Sequence, residues 1–178
     1  MRNRYKFEKG KGLYFITSSI VEFIPVFTSE KYFKIITDSF SYSRKKKDIE
    51  LIAYVIMDNH FHSLIYSYSL SNKIKSIKRH TARQIIKQAK NDNKQWLLNQ
   101  LKFYKKAYKT KSKYQVWQEG VHPQLIQNMN MAKQKIDYIH NNPVKRGIVR
   151  EPEDWIYSSA SNYYKDGGII EIDRIEEF

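Results

Sequence analysis

The sequence predicts an α+β fold, a sandwich in which an antiparallel sheet carries helices on one face. Segments rich in β-branched and aromatic residues alternate with segments in which apolar residues recur at helical spacing. Their order is strand, helix, strand, strand, helix, short helix, strand, helix, which is typical of such a sandwich. A length of 178 residues and a hydrophobic content of 41% fit one packed domain.

The first half of the predicted fold is a strand, a helix and a hairpin. The stretch LYFITSSIV predicts a strand over 13–21, and helical spacing of apolar residues predicts a helix over 30–47 with Ser29 as N-cap. The Asp58-Asn59 turn signal separates two further strands, over 50–57 and 60–68. We expect these two strands to pair as an antiparallel hairpin.

The second half is predominantly helical. We predict helices over 72–90, 95–109 and 131–142, the last stopped by Pro143, and a strand over 114–118 and 123–126 that is broken around Gly120. The domain should therefore span residues 1–150 with a basic helical insertion at about 90–113. Residues 151–178 should form an acidic extension packed on or near it.

Positive charge is concentrated in the middle of the chain. The formal net charge is +14, and residues 71–113 contain 14 Lys and Arg against one acid. Residues 151–178 contain eight acids and two bases, so this tail could fold back on the basic region and screen it. A concentrated basic surface indicates a polyanionic partner, most often nucleic acid, because it can neutralise adjacent phosphates.

Composition also excludes several classes. Without cysteine the chain can form neither a disulfide framework nor a thiolate zinc site, which favours a reducing compartment. The polar stretch 1–11 lacks the apolar core of a secretory signal, and no apolar run reaches the length of a membrane span. We therefore expect a cytoplasmic protein without a membrane partner.

A candidate metal site begins with the pair His60 and His62. Side chains two apart on a strand point to one face, so both imidazoles should project together while Phe61 packs on the other face. The alternative is two surface histidines near a turn. Further ligands would come from water and from four candidates: Asp58, His122, His140 and Asn142. Nitrogen and oxygen ligands suit magnesium or manganese, and zinc less specifically.

A candidate nucleophile is Tyr138, in the segment KIDYIHNNPVKRG. Tyr138 and Asn142 are four residues apart and share one face of the predicted helix, beside its apolar stripe. The phenol could therefore reach a site on the sheet. Because the chain has 14 tyrosines, a packing role at the rim of the core is the competing interpretation.

Candidate nucleic-acid contacts lie mainly on the basic helix. They are Lys73, Lys75, Lys78, Arg79, Arg83 and, outside the helix, Trp117. Phosphates require cations and unpaired bases require aromatic surfaces. Some of the cations could be merely solvated, and Trp117 could belong to the core instead.

Several segments together resemble the single-tyrosine transposases of the HUH class, in which U is a hydrophobic residue. YVIMDNHFHSLI is similar to the strand–turn–strand of HUH endonucleases, and KIDYIHNNPVKRGIV is similar to the tyrosine helix of REP-associated tyrosine transposases and related insertion-sequence transposases. Further matches, in the family's order over residues 12–165, are VWQEGVHPQLI with its strand, SIKRHTARQII with its DNA-contacting helix and DWIYSSASNYY with its C-terminal segment.

This resemblance implies a ferredoxin-like core and metal-dependent cleavage and rejoining of single-stranded DNA. His60 and His62 match the two HUH histidines, Tyr138 matches the nucleophilic tyrosine, and Asn142 falls where the family has a polar third ligand. The expected cofactor is Mg²⁺ or Mn²⁺, and the expected partner is single-stranded or hairpin DNA, bound by a monomer or a homodimer.

Two other interpretations stay open at this level. The chain could be a domesticated HUH-fold protein that binds a DNA or RNA hairpin without cutting, or a basic RNA-binding module with structural histidines. The proton acceptor for the phenol is also open, with water, His140 and a neighbouring lysine as candidates.

Overall fold

The fold is a four-stranded antiparallel sheet with helices packed on it, so the predicted α+β class is confirmed. The computed structural model describes residues 12–121, 123–165 and 167–175. The sheet has the order β2-β3-β1-β4. Its strands are β1 (Gly12–Ser19), β2 (Glu50–Ile56), β3 (His60–Ser67) and β4 (Gln124–Leu125). The expected hairpin is β2–β3, and β1 lies on the other side of β3.

Helices cover both faces of the sheet, which corrects the expectation of one helical face. The helices are α1 (Glu30–Lys45), α2 (Leu70–Asn91), α3 (Gln95–Phe103), α4 (Met129–Lys145) and α5 (Ala160–Tyr164). α1 and α2 bury one face together with α3. α4 buries the opposite face through Ala132 and Ile139. Among the described residues, no helix is long and apolar enough to span a bilayer.

The two faces differ because side chains alternate along β3. Phe61 is fully buried on the α1–α2 face, where its ring lies 5.2 Å from that of Phe40. His60 and His62 therefore project toward the α4 face, as the strand period of two requires. The sheet thus separates the layer packed under α1 and α2 from the layer under α4, which carries the candidate site.

The segment after α2 is less helical than predicted. α3 ends at Phe103, and the described chain from 104 to 121 has no further helix. The predicted broken strand is confirmed in outline, because Trp117 forms an isolated bridge with Ile20 and β4 pairs with β1. Its two parts therefore extend the sheet beyond β1 on either side of Gly120.

The prediction that Pro143 stops the last helix is wrong, since α4 continues to Lys145. Proline lacks the N–H that would bond to the carbonyl four residues earlier, so one helical hydrogen bond is missing. The next turn is closed at Gly147, which has φ +68°, through bonds from its N–H to the Val144 carbonyl and from the Ile148 N–H to the Pro143 carbonyl. This C-terminal closure and the burial of Pro143 keep the last turn helical.

The acidic tail packs against the edge strand β2 rather than on the basic helix α2. The Ile56 N–H donates to the Tyr157 carbonyl, and the Ser159 N–H donates to the Tyr54 carbonyl. Farther along, Asp173 pairs with Arg44 of α1. The expected screening of α2 by the tail is therefore absent from the described part of the chain.

Candidate active site and nucleic-acid interface

The two histidines of β3 lie side by side on the α4 face of the sheet. Their ring centroids are 4.8 Å apart, at an interplanar angle of 71°. In the β1–β3 register His60 pairs with Ser19 and His62 pairs with Thr17. The expectation that both imidazoles project together is therefore met in the structure.

Each imidazole is held through its Nδ1 atom. His60 Nδ1 lies 2.6 Å from Asn59 Oδ1, and His62 Nδ1 lies 2.8 Å from Thr17 Oγ1. The Asn59 Nδ2 donates to the Phe23 carbonyl, which directs its Oδ1 toward the imidazole. Because that oxygen only accepts, His60 Nδ1 carries the proton and Nε2 presents a lone pair. Such partners are typical of histidines that orient Nε2 toward a metal.

The protonation state of both histidines suits a ligand. Burial lowers the pKa of His62 to about 3, assisted by the charges of His60 and Lys135. Burial also lowers the pKa of His60, together with Arg146, while Asp58 acts in the opposite direction. Both imidazoles are therefore neutral at pH 7, the form in which histidine binds a cation.

Tyr138 of α4 lies beside His62. Its ring centroid is 5.2 Å from that of His62, at an interplanar angle of 67°. Phe15 of β1 supports both rings, because it stacks on His62 at 5.4 Å and meets Tyr138 edge-on at 5.8 Å. With 39% of its surface exposed, Tyr138 lies at the rim of the core, a position that fits both a nucleophile and the packing interpretation.

Asn142 is a candidate third ligand whose side-chain oxygen is available. It lies one turn after Tyr138 on α4, and its Oδ1 is buried with no hydrogen-bond partner among the described residues. A buried acceptor without a partner is costly, so it indicates a position that a cation or water would occupy. Two imidazole nitrogens and an amide oxygen are suitable donors for a divalent ion completed by water.

The other candidate ligands do not join this group. Asp58 pairs with Arg146 at 2.9 Å. His140 points away, with Nε2 2.9 Å from Ser159 Oγ and its ring against Tyr163, and burial lowers its pKa to about 4. His122 lies outside the described residues. Within the described chain, no cluster of three or more His, Asp or Glu could hold a metal, so Asn142 and water would be needed.

The turn before His60 is fixed by contacts that the sequence did not reveal. The Asp58 carbonyl accepts hydrogen bonds from the N–H groups of Val26 and Phe27. The ion pair between Asp58 and Arg146 then joins this turn to the end of α4. The histidine strand and the tyrosine helix are therefore linked directly beside the site.

The structure divides the predicted cations of α2 into two groups. Lys75, Arg79 and Arg83 are exposed at four-residue spacing and form one stripe, which we call the basic stripe. Lys73 instead pairs with Asp48. Lys78 is mostly buried and donates to the carbonyls of Gln118 and Gly120. Burial lowers the pKa of Lys78 to about 8, with help from the charge of Lys109.

Trp117 belongs to the core, which corrects its candidacy as a base-stacking residue. Only 6% of its surface is exposed, and its Nε1 donates to Thr81 Oγ1 at 3.1 Å. Its ring packs against Phe61 and Phe27. A base could stack on Trp117 only if the tryptophan left this packing.

A groove lies beside the basic stripe. It has a volume of about 520 Å³ and lies between α2 and residues 109–120. At its far wall the Gln118 N–H donates to the carbonyl of Ser19, the residue that pairs with His60. One residue of the groove wall is therefore hydrogen-bonded to the strand that neighbours the histidine strand.

An antiparallel sheet that presents two histidines to a helix-borne tyrosine is the arrangement of the single-tyrosine HUH transposases. The chain belongs to the family described as "Transposase IS200 like", whose family model matches residues 24–142. That span includes His60, His62, Tyr138 and Asn142. The resemblance inferred from the sequence motifs is therefore confirmed.

Two relatives give a finer comparison. A Haemophilus influenzae protein named as a REP-associated tyrosine transposase is 27% identical over 162 residues, covering 88% of this chain and 83% of the relative. A solved structure of a REP-associated tyrosine transposase bound to a REP hairpin aligns with a TM-score of 0.62 at 19% identity. It covers 100% of this chain and 94% of its own, and this likeness shows the shared fold.

Proposed function

We propose that this chain, a transposase of the REP-associated tyrosine transposase kind, cleaves and rejoins single-stranded DNA with Tyr138 as nucleophile. The observation that carries the proposal is the 5.2 Å separation between the rings of Tyr138 and His62. A helix-borne phenol beside two neutral imidazoles, in a chain that also carries exposed cations on α2, favours phosphoryl transfer over simple binding.

The site would hold one divalent ion, Mg²⁺ or Mn²⁺, through His60, His62 and Asn142. When bound, such an ion supplies a Lewis acid for the scissile phosphate and for charge on the leaving oxygen. Thr17 and Asn59 keep each imidazole oriented through Nδ1, which leaves Nε2 for the ion. The buried Asn142 Oδ1, without a partner in the described chain, supports the same assignment.

The proposed reaction exchanges one phosphoester bond for another. The deprotonated Tyr138 oxygen attacks phosphorus, and the bond from phosphorus to the 3′ oxygen breaks. The 3′ oxygen takes a proton and leaves as a free hydroxyl, while the 5′ side stays on the protein as a phosphotyrosine. Attack by another 3′ hydroxyl reverses these changes and releases the phenol, so no ATP is needed.

Water is the proton acceptor that fits the surroundings of the phenol. His140, a candidate from the sequence, is buried and bonded to Ser159 on another side of α4. Tyr138 itself is open to solvent over 39% of its surface. The phenolic proton can therefore pass to solvent without a dedicated side-chain base.

The DNA would enter along the basic stripe. Lys75, Arg79 and Arg83 would present cations to the DNA backbone, and grooves lined by Arg79 and Gly120 lie beside them. The related structure bound to a REP hairpin makes a hairpin with adjacent single strand the first substrate to test. Lys73 and Lys78 would mainly stabilise the fold and not bind DNA, because both ammonium groups already have partners.

A covalent-capture assay tests the proposal directly. Hairpin-bearing single-stranded oligonucleotides labelled at the 3′ end are incubated with the protein and Mn²⁺ or EDTA, then separated on a denaturing gel. We expect a shifted protein–DNA band that requires metal and is lost in Tyr138→Phe. Tyr42→Phe is the matched control, because Tyr42 is exposed on α1, away from the histidine face.

The same gel, together with a native mobility-shift assay that measures binding, separates the competing functions. Tight binding without a band from any oligonucleotide would support a hairpin-binding protein that does not cut. Cleavage that needs metal but survives Tyr138→Phe would identify a nuclease that uses activated water. Either result would overturn the proposed phosphotyrosine chemistry.

A further inference from the structure

Two lysines flank the candidate nucleophile on α4. Lys135 Nζ lies 5.9 Å from the centre of the Tyr138 ring, and Lys145 Nζ lies 5.7 Å from it. Residues 135, 138, 142 and 145 recur at spacings of three and four, so they lie along one stripe of the helix. Both ammonium groups therefore share a helix face with the phenol and with Asn142.

Lys135 is the inner member of the pair. It is half-buried, and its Nζ lies 4.7 Å from the centre of the Phe15 ring, which itself stacks on His62. The charge of Lys135 also contributes to the lowered pKa of His62. The ammonium group is thus directed into the site rather than into bulk solvent.

Lys145 is the outer member, exposed at the C-terminal end of α4. The next residue, Arg146, is bonded to Asp58, so the backbone that carries Lys145 is fixed relative to the histidine hairpin. The two ammonium groups thus approach the phenol from different turns of a helix whose position is defined.

Neither lysine has an acidic partner in the described part of the chain. Ion pairs there engage Lys31, Lys34, Lys73, Lys109 and Lys165, but not Lys135 or Lys145. Both ammonium groups lie near aromatic rings, which attract a cation weakly. Two cations beside a candidate nucleophile, without a carboxylate, form a site for an anion.

We propose that Lys135 and Lys145 hold the scissile phosphodiester against the Tyr138 phenol. During attack the two ammonium groups offset the negative charge that grows on the phosphate. The inference rests on the proposed function and concerns the non-bridging phosphate oxygens. A phosphodiester anion repels a phenolate, and ammonium groups placed next to both reduce that repulsion. Lys135 acts mainly in the transition state, and Lys145 acts mainly in holding the adjacent DNA backbone.

The difference between the two roles follows from exposure. A charge that is partly withdrawn from water interacts more strongly with a nearby phosphate than a fully solvated one. The inner Lys135 should therefore affect the rate of attack, whereas the outer Lys145 should affect mainly the DNA concentration needed for half-maximal rate. Lys133, exposed two residues earlier on α4, contacts neither Tyr138 nor Phe15 in the structure and is a matched control.

The test measures covalent adduct formation by Lys135→Met, Lys145→Met and Lys133→Met across DNA concentrations. Methionine keeps an unbranched chain while removing the charge. We expect Lys135→Met to slow the reaction at saturating DNA by at least about 10-fold with little change in the half-maximal concentration. Lys145→Met should mainly raise that concentration. Lys135→Arg should recover most of the rate, which a purely steric role would not predict.

Wild-type kinetics in Lys135→Met, or equal effects in Lys133→Met and Lys135→Met, would overturn the proposal. A second measurement does not depend on cleavage. Acetylation of lysines in Tyr138→Phe protein, with and without a hairpin oligonucleotide, is quantified by mass spectrometry. Protection of Lys135 and Lys145 relative to Lys133 supports the phosphate site. Equal labelling of the three lysines overturns it. Because this measurement does not require adduct formation, its result is independent of whether the proposed function holds.

Discussion

The rings of His62 and Tyr138 meet edge to face, with centroids 5.2 Å apart, within a single chain. They come from elements on different sides of the site, β3 and α4, and Phe15 of β1 packs against both. The ion pair between Asp58 and Arg146 joins the turn before β3 to the C-terminal end of α4, about two helical turns from Tyr138. One chain thus brings together the candidate ligands and the candidate nucleophile.

The first prediction is that catalysis occurs in cis. A mixture of His62→Ala and Tyr138→Phe proteins should form no more adduct than either variant alone, because neither chain retains a complete site. Adduct yield after prolonged mixing, measured by covalent capture, checks this. Recovery of a large fraction of wild-type yield would instead require a tyrosine that acts on the partner's histidines.

The second prediction concerns the support of His62. Thr17→Val removes the hydroxyl that lies 2.8 Å from His62 Nδ1 but keeps the shape of the side chain. We expect Mn²⁺ affinity, measured by calorimetry, to fall by about 10- to 100-fold, as for other partners of metal-bound histidines. Thr17→Ser keeps the hydroxyl and should bind nearly as well as wild type. Unchanged affinity in Thr17→Val would exclude this role.

Local periodicity was sufficient to predict the placement of the histidines. Alternation along a strand puts His60 and His62 on one face and Phe61 on the other, whatever packs on the sheet. Helical spacing likewise joined Tyr138 to Asn142. These inferences succeeded because each depends on residues within one element.

Residues that depend on contacts between distant elements were not predictable in the same way. Trp117 and Lys78 look accessible in the sequence, but both are covered where residues 116–120 pack against α2. Thr17 became a partner of His62 only through the β1–β3 register. The prediction that helices cover only one face of the sheet was also wrong, because the packing of α4 depends on the whole sheet.

The third prediction separates DNA contacts from core residues. Arg79→Ala should weaken hairpin binding and reduce the salt dependence of the affinity by about one phosphate contact, without changing stability. Trp117→Phe should lower the free energy of unfolding by about 1–3 kcal/mol, since it removes packing and the bond to Thr81. Its affinity for DNA, measured at a temperature where it is folded, should match wild type. A loss of affinity in folded Trp117→Phe would reinstate a role in binding.

The fourth prediction concerns the ion pair between Asp58 and Arg146. Each partner is about 40% exposed, with side-chain values of 39% and 42%, so the pair should contribute less than about 1 kcal/mol to stability. Its effect on adduct formation should be larger, because it aligns α4 with the histidine turn. A double-mutant cycle with Asp58→Asn and Arg146→Gln measures both quantities. Additive effects on the rate would show that the pair does not align the site.

The last prediction is a pH dependence of stability that originates at Lys78. Burial lowers the pKa of this lysine from 10.5 to about 8 in the folded protein. Between pH 8 and 10.5 the unfolded chain binds the proton and the folded protein does not, so stability due to Lys78 rises with pH across this window. Below pH 8 both states are protonated and the contribution is constant.

Comparison with Lys78→Met isolates this contribution. The tyrosines and other lysines are common to both proteins, so their titration cancels in the difference between the two free energies of unfolding. We expect wild type to gain on the order of 1 kcal/mol relative to Lys78→Met between pH 8 and 10.5. Denaturant unfolding at several pH values measures this. The neutral amine retains two N–H groups, enough for the carbonyls of Gln118 and Gly120, so the fold need not open as the proton leaves. A constant difference over that range would show that Lys78 stays charged and that its ammonium group is better solvated than its packing indicates.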